Sequence, residues 1–93
     1  MADQDWQEGT LLDDEGEFRI ARIRYCLVAT PELDGFVHRA GRFSLREELC
    51  PLHTGLAQLR TPTGEGWLVR ILRITRPQGE GALEVVEPLL PHP

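Results

Sequence analysis

Two residues in the stretch "ELCPLHTG", residues 48–55, have the types and spacing of a chemical site: Cys50 and His53, with Pro51 between them. A thiol and an imidazole this close are half of a zinc knuckle, or a nucleophile with its base. A structural zinc takes four ligands, and Cys26 and His38 could complete the set. Those two residues fall on separate extended segments and form no second knuckle. The reading is therefore no metal, with Cys50 a small apolar residue and His53 on an exposed turn. Catalysis by Cys50 is disfavoured as well. The segment before it reads as a short helix, and a helix C-terminus opposes a thiolate.

Other catalytic constellations are missing. Ser44 is the only serine and lies in no G-x-S-x-G elbow. The paired acids Asp13–Asp14 and Glu47–Glu48 sit in polar stretches and read as solvated. "GEGW" and "GEGA" are turn glycines, without the strand, loop and helix that make a phosphate cradle. The chain reads as non-enzymatic and free of cofactors.

Arginine is the better lead. All ten basic residues are arginine. A GC-rich coding sequence would also yield arginine in place of lysine, so residue choice by itself points to no ligand. Position is more informative. Arg22 and Arg24 project from one extended segment, Arg39 and Arg42 from the next, and Arg70 and Arg73 from a third. If these segments are neighbours, several guanidinium groups share an outer face, each able to hold a carboxylate or phosphate by a bidentate fork. With Tyr25, Phe36 or Trp67 nearby, such a face suits a protein partner or single-stranded nucleic acid. The net charge of -5 weighs against nucleic acid, whose binding rests largely on phosphate neutralisation. The expected function is a small non-catalytic binding module for protein–protein interaction or self-association. Its binding residues are Arg22, Arg24, Arg39, Arg42, Arg70 and Arg73, and single-stranded nucleic acid is the alternative ligand.

The elements that must position these arginines are strands. In "EFRIARIRYCLVAT", Ala21, Ile23, Tyr25 and Leu27 share one face while Arg22, Arg24 and Cys26 share the other. Period two with one apolar and one charged face is a half-buried strand. "DDEG", "PELDG", "TPTGEG" and "PQGEG" supply turns between further apolar runs. The glycine in "HRAGRF" marks a bulge or bend. Trp67–Thr75 is apolar on both faces, so it is either a central strand or one whose bulge switches faces. Ser44 and Glu47 match the S-x-x-E capping box, which favours a short helix over 44–50 that Pro51 ends, against a competing reading in which the strand extends through Leu45.

The fold class is therefore all-β with one short helix: a five- to six-stranded barrel or curled antiparallel sheet, of OB or SH3-like size. Its expected core is Ile23, Tyr25, Leu27, Leu59, Val69, Ile71, Leu83 and Val85. Ninety-three residues allow a single domain. Residues 1–17 hold seven acids and no base, so residues 1–9 read as an acidic, flexible leader. Residues 10–87 form the barrel, and 88–93, with three prolines, an extended tail. No apolar run approaches the roughly 20 residues of a membrane helix, and the start has no signal-peptide pattern. A cytoplasmic protein is expected.

Overall fold

The alternation around residue 23 becomes the second of six strands in the computed structural model, which describes residues 6–89. The strands are β1 (Gln7–Leu12), β2 (Arg19–Pro31), β3 (Val37–Glu48), β4 (Gly55–Arg60), β5 (Gly66–Thr75) and β6 (Glu80–Leu89). All neighbours are antiparallel, and the order β1-β2-β3-β6-β5-β4 closes on itself through β1 and β4. The barrel is thus two three-stranded meanders, joined along β3–β6 and β1–β4. Closure removes the sheet edges that would otherwise expose unpaired backbone groups.

Side chains from alternate positions fill the interior. Leu11, Ala21, Ile23, Tyr25, Phe43, Ala57, Leu59, Val69, Ile71 and Leu83 are buried there. Six of the eight expected core residues are among them. Leu27 and Val85 are only partly buried and pack against the rim of this cluster. At two of the interior glycines a side chain would run into the backbone of the neighbouring strand. A Cβ at Gly41 would meet the Cys26 carbonyl oxygen at 1.8 Å. One at Gly81 would meet the Arg73 carbonyl oxygen at 2.2 Å and the Phe43 ring at 2.5 Å. Gly41 is therefore a point of close backbone approach in a continuous register, not a bulge.

The apolar-on-both-faces strand is explained by a bulge. Pairing of β5 with β6 shifts between Ile71 and Arg73. Leu72 is turned outward, and Ile74 comes back against the core. A second shift, between β2 and β3 at Arg22/Ile23, leaves Arg46 without a paired residue.

No helix forms over 44–50, which corrects the capping-box reading. Ser44 instead lies in the ladder, paired with Arg24 on one side and Glu80 on the other. A helix there would leave both neighbouring strands unpaired. The strand also starts and stops outside the expected limits. β1 begins at Gln7, within the stretch read as a leader, and β6 runs to Leu89, within the stretch read as a tail. Residues 1–5 and 90–93, including Leu90, lie outside the described residues.

The two ends of the barrel differ. At one end lie the β1–β2 turn, the β5–β6 turn and the β3–β4 crossover. The crossover is "LCPLHT", and Leu52 from it is buried in the core cluster as a plug. At the other end, β2 and β3 continue past their neighbours. β1 pairs with β2 only up to Tyr25, and β6 pairs with β3 only from Ala40 onward. The remainder of β2 and β3 forms a two-stranded arm that is paired with itself up to Pro31 and Val37.

Candidate functional site

The "CPLH" stretch carries the plug that closes one end of the barrel. Leu52 plugs the barrel, while Cys50 and His53 flank it and are exposed. The crossover is held by Glu48, whose Oε2 accepts from the Leu52 amide at 2.8 Å. Arg76 grips the same carboxylate through two bonds, at 3.0 and 2.7 Å, and also donates to the Leu52 carbonyl. These donors hold the Glu48 carboxyl down from its ordinary 4.5 to about 2, with the Arg76 hydrogen bond the largest cause. Cys26 and His38 lie on the β2–β3 side of the opposite end. The four zinc-type residues therefore do not converge. Among the described residues, only Asp13, Glu15 and Glu17, on the β1–β2 turn, bring three ligand atoms within 4.8 Å of one another.

The six arginines expected to bind are all exposed, but they do not form one face. Arg70 is neutralised by Glu84, its cross-strand partner, at 3.1 Å, and His38 approaches the same carboxylate at 3.7 Å. Arg24 and Arg42 lie against Trp6, with guanidinium carbons 5.9 and 5.8 Å from its ring centre. Both distances are within cation–π range. Arg73 faces Ala82 from one side as Arg42 does from the other. Arg39 follows the opposite parity from Arg42 and so points the other way. It lines the open barrel mouth, a hollow of about 400 Å³, with Tyr25, Leu27 and Trp67. Tyr25 donates to Gln7 Oε1 at 3.0 Å there, and burial pushes its phenol pKa up, helped by the Glu65 charge.

Arg22 belongs to a different group. Thr10, on the outside of β1, is paired with Arg22 on β2 and with Arg60 on β4. Arg46 arrives from the β3 bulge, and Thr61 from the β4–β5 turn, to line the same groove. Arg46 and Arg60 were not among the expected binding residues. Arg60 joins Arg22 only because β1 and β4 close the barrel, and Arg46 only because the bulge redirects it.

The second surface is the arm. Its turn is set by Asp34, whose Oδ1 accepts from the Phe36 amide at 3.1 Å, and by the Glu32–Phe36 and Gly35–Glu32 backbone bonds. Val28, Leu33, Phe36 and Val37 are all exposed on it, Leu33 completely and Phe36 at 72%. The sequence reading saw "PELDG" as a turn and gave its apolar neighbours no role beyond Phe36 as a companion of the arginines. No family model, no curated protein and no solved structure matches this chain.

Proposed function

We propose that the chain is a non-catalytic binding module that docks on a protein, a second copy included, through the β2–β3 arm. The observation that carries this reading is the arm itself: two strands that run beyond the barrel and, among the described residues, pair there only with each other, with Leu33 and Phe36 at the tip in solvent. A two-stranded ribbon is marginal alone in water, and open edges with apolar side chains add readily to another sheet or groove. Glu32 and Asp34 flank the tip, which favours a protein surface over an anionic membrane. The arginine-bearing outer face beside the arm, at Arg24 and Arg42, supplies a polar rim.

The test is sedimentation of the full chain across a wide concentration range, beside the double variant Leu33→Ser, Phe36→Ser, with co-purification from the native host in parallel. The reading requires either concentration-dependent self-association or a co-purifying protein that the double variant loses. A chain that stays monomeric, with no protein lost by the variant, removes it.

A second reading is single-stranded nucleic acid, favoured by the Trp6 ring with two guanidinium groups against it. It requires binding to mixed oligonucleotides with a steep negative dependence on salt. No binding at low salt excludes it.

A further inference from the structure

We infer that the groove formed by Arg22, Arg46 and Arg60 over Thr10 is an oxyanion site for a phosphomonoester on a small ligand. Residues directly opposite on antiparallel strands hold their Cβ atoms about 4.5–5.5 Å apart. Thr10 is opposite Arg22 and opposite Arg60, so two guanidinium stems flank one short hydroxyl side chain. Arg22 and Arg60 thus stand two strand spacings apart, about 10 Å, with a threonine and no acid between them. Among the described residues, neither Arg22 nor Arg46 has a carboxylate within ion-pair distance. Glu47 is the cross-strand partner of Arg22, yet the two form no ion pair. Arg60 spends one donor on Gln58 Oε1, at 3.3 Å, which orients its guanidinium and leaves the other donors open.

The β3 bulge adds the third cation. Bulges re-aim side chains and are over-represented beside functional sites. Here the extra residue is Arg46, and it lines the groove. The hydroxyls of Thr10 and Thr61 can donate as well.

Size and shape select among anions. The groove holds about 260 Å³, and all three arginines line this one hollow. That fits one compact dianion better than a nucleic-acid backbone, which needs a track of charges. A phosphomonoester has its second pKa near about 6, so it offers a dianion at neutral pH and three acceptor oxygens. Glu8 also lines the groove and opposes any anion there, so it limits the affinity.

The test uses the full chain labelled for NMR, titrated with phenyl phosphate, with benzenesulfonate as a singly charged control of similar shape. Saturable shifts are expected at Thr10, Arg22, Arg46, Arg60 and Thr61, weakening below about pH 6 as the phosphate takes up its second proton. Arg46→Gln and Arg60→Gln should each weaken binding by about 10-fold or more, the size of a lost charge-assisted hydrogen bond. Arg46 is exposed on a bulge, so its variant should keep the barrel spectrum even if Arg60→Gln does not. Arg39→Gln should leave the affinity unchanged. Glu8→Gln should tighten it several-fold, a direction that loss of local structure would not produce. Unsaturable shifts, shifts spread equally over Arg39 and Arg73, or weaker binding in Glu8→Gln would each overturn the assignment. So would tighter binding of an oligothymidylate that moves Arg24 and Arg42 together with this groove. Leu33→Ser with Phe36→Ser leaves this titration unchanged, so its result is independent of the docking role of the arm.

Discussion

The two ends of the barrel are built from similar hairpins yet finish in opposite ways. At the crossover end, Leu52 fills the interior, and Glu48 and Arg76 clamp the segment that carries it. At the other end, β2 and β3 outrun their neighbours, and the surplus length leaves Leu33 and Phe36 in water. One end spends its apolar residues on the barrel, while the other offers them to something else. Stability and recognition should therefore respond to mutations at different ends.

The largest effect should come from the plug. Leu52→Ala removes a fully enclosed side chain and should cost about 2–5 kcal/mol in a urea titration. A loss below about 0.5 kcal/mol, the range of ordinary surface changes, would mean that the crossover end is not sealed by this residue. Next comes the seam at the base of the arm. Gly41→Ala forces a Cβ into the Cys26 carbonyl and should cost about 1–3 kcal/mol, the usual range for overpacking. If it is tolerated without loss, β2 and β3 can separate at the base of the arm, and the arm is less rigidly anchored than the pairing implies.

The clamp should show itself in acid. The Glu48 carboxyl lies lower in the folded chain than its ordinary value, so its contribution is present above about 4.5 and fades as pH falls through about 2. Both side chains reach solvent, so the effect is modest. Glu48→Gln should lower the melting temperature slightly at neutral pH and flatten its decline between pH 5 and about 2. An acid profile identical to that of the parent chain would remove the clamp from the account.

The smallest effect on stability should come from the arm. Leu33→Ser with Phe36→Ser should change unfolding free energy by no more than about 0.5 kcal/mol, while amides near residues 29–37 exchange faster than those of the barrel. If this pair costs as much as Leu52→Ala, the arm is part of the core and the contrast between the ends collapses.

Much of the fold was readable because strand alternation is a local property. Ile23 and Tyr25 point inward and Arg22 and Arg24 outward in the sequence pattern and in the barrel alike. The turns were readable for the same reason, since Asp13, Asp34 and the glycines act on backbone a few residues away. The capping box misled because Ser44 and Glu47 fit a helix turn locally, while pairing with β2 and β6 satisfies the same backbone from both sides. Leu52 was missed as a core residue because it lies in a short crossover outside any strand, with no periodicity to tell it from the exposed Leu49.

The site was less legible than the fold. Arg39 and Arg42 were placed on one face, but an odd separation along a strand sends them to opposite sides. Arg46 and Arg60 were overlooked because nothing near them in sequence points to Arg22.

By itself, then, the sequence determined which segments are extended, where they turn, and which face of each is apolar. These follow from side-chain alternation and from turn chemistry acting over a few residues. The tertiary structure alone decided that β1 meets β4, that a bulge swings Arg46 toward Arg22, and that β2 and β3 project beyond the barrel. Each of these depends on how far one strand runs past another, and on the register between strands distant in the chain, which no short window of residues records.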